Sequence, residues 1–85
     1  MAVYSILLRD SVRNDLDSIP KNDLQRIIQR IGSLAENPRP AGCEKLSSQE
    51  KYRVRQGNYR IIYSIQDSEL SVWVVKVGHR SEVYR

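Results

Sequence analysis

The stretch KYRVRQGNYRIIYSIQ, Lys51–Gln66, constrains this chain more than any other. Two runs rich in β-branched and aromatic residues flank Gly57 and Asn58, both tolerant of positive φ and suited to a two-residue hairpin turn. With those two as the turn, the cross-strand partners are Gln56 with Tyr59, Arg55 with Arg60, Val54 with Ile61 and Arg53 with Ile62. Side chains alternate between faces along a strand. Tyr52, Val54, Ile61, Tyr63 and Ile65 therefore share one face, and Arg53, Arg55, Arg60 and Ile62 the other.

The next run, ELSVWVVKV from Glu69 to Val77, follows a second turn expected at Asp67 and Ser68. It adds Leu70, Val72 and Val74 to the apolar face and Trp73, Val75 and Val77 to the arginine face. In that register Val75 faces Arg60 and Val77 faces Asn58. Gly78, His79 and Arg80 then leave the sheet near Arg55 and Arg60, with Gly78 supplying an irregular backbone angle. Trp73 beside Ile62 and Val75 reads as packing, with stacking on nucleic-acid bases as the alternative.

Upstream, Val3–Leu8 reads as a strand, and Asp10 or Ser11 can cap a short helix running to about Ser18. Pro20 suits the first turn of a second helix. Leu24, Ile27, Ile28, Ile31, Leu34 and Ala35 recur as one helical stripe, and the run NPRPAG, Asn37–Gly42, ends it. An N-terminal strand, a two-helix hairpin and a three-stranded antiparallel meander make an α+β fold with the helices packed on one face of the sheet. A chain of 85 residues has material for one core, so residues 1–85 are expected to form a single domain.

No window approaches the ~18 uninterrupted apolar residues of a membrane span. The N-terminus MAVYSILLRD lacks the basic leader and cleavage site of a signal peptide, so the reading is cytoplasmic. Cys43 is the sole cysteine and His79 the sole histidine, which leaves no internal disulfide and no metal-ligand set. Any chemistry is expected to need neither metal nor cofactor.

The formal net charge is +4, and all of it falls after residue 50, where Lys51, Arg53, Arg55, Arg60, Lys76, Arg80 and Arg85 stand against Asp67, Glu69 and Glu82. Such asymmetry suits an anionic partner, or simply a soluble basic surface. Arg55 directly opposite Arg60 is a like-charge pair, which destabilises a sheet unless something negative lies near both. The bland alternative is that the side chains splay into water at a cost of a few tenths of a kcal/mol. Arginine forks match phosphate oxygens two at a time, and three on one face could grip a nucleic-acid backbone.

From Tyr4 onward the chain resembles the RelE/ParE superfamily of small bacterial toxins, most closely the RelE branch. The resemblance is carried by YRVRQGNYRIIY, Tyr52–Tyr63, and KVGHRSEVYR, Lys76–Arg85, with a helical hairpin upstream. It implies the toxin of a type II toxin–antitoxin system: a ribosome-dependent, metal-independent endoribonuclease that cuts mRNA in the ribosomal A site. The implied partners are a RelB-like cognate antitoxin, in a heteromeric toxin–antitoxin complex, mRNA and ribosomal RNA, with no membrane. By position the resemblance assigns site roles to Arg53, Arg55, Arg60, Arg80 and Tyr84. Better-known members have lysines where this chain has Arg53 and Arg55, and a longer loop before the tyrosine.

RNA can be cut by its own 2′-hydroxyl if a base takes that proton, positive charge stabilises the phosphorane and an acid protonates the departing 5′ oxygen. Arg53, Arg55 and Arg60 suit charge stabilisation, but arginine, with a pKa above ~12, is a poor base. Arg80 suits stabilising the leaving oxygen. The candidate proton carriers are His79, the side chain whose ordinary pKa lies near neutrality, and Tyr84, which could also stack on a base. As alternatives, His79 is a structural loop residue and Tyr84 an apolar anchor. Arg13, Arg26 and Arg30 are expected to contact ribosomal RNA or to form the solvated helix face. Two other readings stand beside the nuclease: a ParE-like inhibitor of DNA gyrase that cuts nothing, and a degenerate antitoxin-binding or RNA-binding domain.

Overall fold

The computed structural model describes residues 3–46 and 50–79. Its elements run β1 (Ser5–Leu8), α1 (Asp10–Asp17), α2 (Lys21–Ser33), β2 (Glu44–Lys45), β3 (Lys51–Gln56), β4 (Tyr59–Gln66) and β5 (Ser71–His79), with a single turn of 3₁₀ helix at Asp67–Glu69. The sheet order is β1-β5-β4-β3-β2. The expected meander forms its centre. The N-terminal strand joins it parallel to β5, and β2, which alternation in the sequence did not suggest, adds two residues outside β3.

The first hairpin has the expected register throughout, from Gln56 opposite Tyr59 to Lys51 opposite Ser64. Gly57 takes φ 60°, whereas Asn58 is not left-handed, as in a type II′ turn with glycine first. The second hairpin differs from expectation. Gln66 pairs with Ser71, so the connection holds four residues rather than two, and Leu70 closes it at φ 50°. Leu70 is consequently exposed rather than part of the core. Farther along, the pairing shifts by one between Ile62 and Tyr63, leaving Val75 as the extra residue of a β-bulge.

The shift of two preserves faces, and the bulge then reverses them. Val72 and Val74 stay in the core as expected, but Val77 faces Ile61 from within it and is buried, and Arg60 faces Gly78 rather than Val75. Alternation counted from the turn carries no mark of an inserted residue, which is why the sequence placed Val77 with the arginines.

The core packs Val54, Ile61, Tyr63, Val72, Val74 and Val77 of the sheet against Val12, Ile19, Ile27, Ile31 and Leu34 of the helical layer. Ile28 lies at the flank of its stripe and stays exposed. Two cap expectations also change. Arg9, with no side-chain cap bond, precedes α1, so Asp10 sits in the first turn, where a carboxylate favours the helix dipole. Pro20 precedes α2, and its carbonyl accepts the Leu24 amide at 2.8 Å.

Past the end of β1, α1 takes over the edge of β5: Asp15 Oδ2 accepts the Val77 amide at 3.2 Å, and Oδ1 lies 3.2 Å from Lys76 Nζ. At the opposite end of the sheet Arg39 donates to both Asp67 oxygens, at 3.3 and 2.9 Å, while the Tyr4 hydroxyl donates to Asp67 Oδ1 at 2.7 Å. This clasp ties the chain after α2 to β1 and the β4–β5 turn. Arg39, then Tyr4, hold the Asp67 carboxyl below the usual carboxylate range. A depressed folded-state pKa adds stability above the unfolded-state value, and that stability is lost as pH falls through the folded one. Chemical denaturation from pH 7 down to about pH 3 should therefore show a steeper loss below about pH 4 in the wild type than in Asp67→Asn; parallel curves would refute the clasp.

Candidate RNA-binding face

The face of the sheet turned away from the helices carries the arginines, because each occupies the outward phase of a strand whose alternate residues fill the core. Arg55 pairs directly with Arg60, and Gly78 follows on the far side of Arg60. The neighbouring row runs Glu44, Arg53, Ile62, Lys76. Gly78 stands opposite Arg60, so that position of β5 carries no side chain, and Arg60 itself is sunk to 8% exposure.

Arg53 forms an ion pair with Glu44, and the Arg53 guanidinium, with Arg55 and Arg60 adding more weakly, holds the Glu44 carboxyl below its ordinary range. The field of all three arginines thus converges on one edge of the face. Along the same face lies a cleft of about 490 Å³ with Ile62, Val75 and Leu46 as apolar surface and Arg9, Lys51 and Lys76 as cations. Lys51 and Lys76 belonged to the basic half of the sequence. Arg9 had no signal, since only long-range packing of the β1–α1 junction brings it there.

Trp73 remains on this face, 36% exposed, with Leu7 and Ser64 as its cross-strand neighbours. Tyr63 lies on the core side. Its hydroxyl donates to the Pro38 carbonyl at 2.7 Å, its ring stacks on Tyr52 at 5.9 Å, and burial pushes its phenol far above the ordinary value.

His79 is not brought into the arginine row. It is still part of β5, pairs with Tyr59, and packs against that ring edge-on at 5.7 Å and 82°. Tyr59 packs against the core, and the two rings border a pocket of about 190 Å³ shared with Asp15, Ser18 and Ile19 of the helical layer. The histidine therefore stands on the reverse of the sheet from Arg53, Arg55 and Arg60. Arg80 and Tyr84 lie outside the described residues. The strand that leads to them does run beside the first hairpin, with Gly78 next to Arg60.

Chemically, the face offers forked donors to a phosphate and positive charge for a phosphorane, plus an apolar shelf for a base. Among the described residues no group of three or more His, Cys, Asp or Glu side chains could hold a metal ion. No helix among them is long and apolar enough to cross a membrane. If the Arg55–Arg60 repulsion is retained for an anion, Arg55→Gln should raise the melting temperature by about 1–3 °C at low salt, from a few tenths of a kcal/mol. The gain should shrink at about 1 M salt, as the repulsion is screened. A lower melting temperature at low salt would contradict this.

Helices laid on one face of a mixed sheet whose other face bears paired arginines form an α+β fold suited to a polyanion, and comparison with known proteins gives the class, a small toxin of type II toxin–antitoxin systems. The chain belongs to the RelE/ParE superfamily, in its RelE-like branch: residues 6–84 match the model for the ParE toxin of the type II system parDE. Toxin RelG of Mycobacterium tuberculosis is 27% identical over 84 residues, spanning 96% of this chain and 97% of that protein. Among solved structures, the toxin–antitoxin complex RelBE2 of M. tuberculosis superposes with a TM-score of 0.83 at 26% identity, covering 93% of this chain and 100% of that one. The archaeal RelE–RelB complex of Pyrococcus horikoshii gives 0.84 at 27% identity, covering 94% and 98%.

Proposed function

We propose that this toxin is a ribosome-dependent, metal-independent mRNA endoribonuclease that promotes attack of the 2′-hydroxyl on the adjacent phosphate. The observation that supports it most is the Arg55–Arg60 pair with Arg53 alongside, an arrangement unfavourable in itself and suited to a phosphate. In this reading Arg53, Arg55 and Arg60 hold the scissile phosphate and stabilise the phosphorane, and Arg80 stabilises the leaving oxygen. Proton transfer is assigned to Tyr84 rather than His79, because the His79 ring packs against Tyr59 behind the sheet. A RelB-like cognate antitoxin is the expected partner, since the M. tuberculosis and P. horikoshii relatives were crystallised as complexes with RelB proteins.

The second reading, inhibition of DNA gyrase without RNA cleavage, is favoured by the ParE name of the matching family model. One pair of assays separates the two. Purified protein added to ribosomes carrying a defined message should cut it in the A site, with the cut absent when ribosomes are omitted, and should leave gyrase supercoiling unaffected. Intact message together with blocked supercoiling would replace the nuclease reading with the gyrase one.

A further inference from the structure

The arginine face continues around the edge of β3 beyond the end of β2. There a cleft of about 470 Å³ is lined by Arg30, Gly42, Cys43, Glu44 and Arg55. Arg55 is thus shared: it stands opposite Arg60 on the open face and also walls this cleft, whose other basic wall comes from α2. Arg30 is half-buried at this wall, with its Nε buried and without a hydrogen-bond partner, so the guanidinium is partly withdrawn from water and favours an opposing charge at its accessible end.

The backbone contributes as well. In a two-residue hairpin the residues flanking the turn exchange hydrogen bonds with each other, so Gln56, Val54 and Tyr52 direct their amides and carbonyls toward β4. Lys51, Arg53 and Arg55 then direct theirs outward, in agreement with the Leu46 amide donating to the Lys51 carbonyl at 2.8 Å. Outside β3 the partner strand ends at Glu44, opposite Arg53. Two residues earlier Gly42, at φ 91°, has left the ladder in a turn closed by the Cys43 amide on the Pro40 carbonyl. The ladder with β2 thus stops at Arg53, and the outward-directed N–H and C=O of Arg55 lie beyond it, on the residue that walls the cleft.

From this geometry we propose that the cleft between α2 and the β3 edge is a second ribose-phosphate subsite, taking the nucleotide next to the one gripped at Arg60. Arg30 and the Arg55 guanidinium hold the phosphate, the Arg55 amide donates to one of its oxygens, and the Arg55 carbonyl accepts the neighbouring 2′-hydroxyl. Glu44, the one carboxylate on the wall, is already committed to Arg53. A donor set beside an outward carbonyl acceptor suits a phosphate followed by a hydroxyl better than a lone carboxylate. A single free residue at the edge is also too short a template for an added strand.

This inference deepens the RNA reading and rests on it, but the test does not use cleavage. Binding of a fluorescein-labelled heptaribonucleotide, and of its 2′-deoxy counterpart, to the free toxin is followed by anisotropy between about 50 and about 200 mM salt. Arg30→Gln should weaken ribonucleotide binding about five- to tenfold and flatten the log–log salt slope by about 0.7, the share of one phosphate on a single strand. Arg30→Lys should keep the slope. Arg30→Gln combined with Arg55→Gln should lose less than the product of the single losses, because both grip one phosphate. The deoxy probe should bind the wild type more weakly than the ribo probe. Wild-type affinity and slope in Arg30→Gln, with an unchanged urea midpoint, would overturn the proposal. So would a weakened antitoxin complex with RNA binding intact, which would make the cleft a dock for an acidic protein segment. A toxin that cuts no message on ribosomes can still pass this test, and one that cuts can still fail it, so the two readings fail separately.

Discussion

Arg60→Ala should lower the rate of message cleavage on programmed ribosomes by about 10²- to 10³-fold, the usual cost of removing one preorganised donor from a site of developing negative charge. Three features focus the effect on this residue. Arg60 lies in the central strand of the meander, its side chain is sunk into the face to 8% exposure, and its neighbours across the pleat are Arg55 and the side-chain-free Gly78. A partly buried fork acts through a lower dielectric than a surface arginine, so its charge counts for more. Arg60→Lys keeps the charge without the fork and should recover part of the rate. Assays run well below each variant's melting temperature separate loss of the site from loss of the fold. Wild-type cleavage by Arg60→Ala would remove the arginine pair from the mechanism.

The largest effect on stability is expected one residue further on. Ile61 is fully buried between Val54 and Val77 on the helix side of the same strand. Truncation to alanine removes three carbons from a packed core and should cost about 2–5 kcal/mol. A small domain holds ~5–15 kcal/mol in total, and each kcal/mol shifts the melting temperature of such a chain by about 4–8 °C, so Ile61→Ala should melt at least ~8 °C lower. Ile62→Ala, on the open face, should lose far less. Urea denaturation of the two variants side by side checks this, and equal losses would contradict the assignment of faces.

The contrast between Ile61 and Ile62 is legible in the residues alone, because a glycine-containing two-residue turn pins hairpin register and register pins faces. The same logic failed at the next turn. Asp67 and Ser68 look like a sufficient pair, but the 3₁₀ turn held by Arg39 and Tyr4 extends the connection, and those partners lie 28 and 63 positions away. The bulge at Val75 was equally invisible, for it sits inside an unbroken run of valines and tryptophan. His79 shows the result for the site. A loop ending two residues earlier would release the histidine toward the arginines, whereas the longer connection and the bulge keep it in β5 against Tyr59. Clefts built from distant segments, such as that of Arg9 with Lys76 or Arg30 with Arg55, have no local pattern to announce them.

Val75 is a different kind of position from every other in β5. Because it is the supernumerary residue, deleting it closes the ladder without moving any partner: Val74 stays opposite Tyr63, Lys76 opposite Ile62 and Gly78 opposite Arg60. What changes is the bend and extra twist that such an insertion imposes on its strand. Loss of Val75 should therefore leave the core and its pairing in place while altering the curvature of the face that carries the arginines.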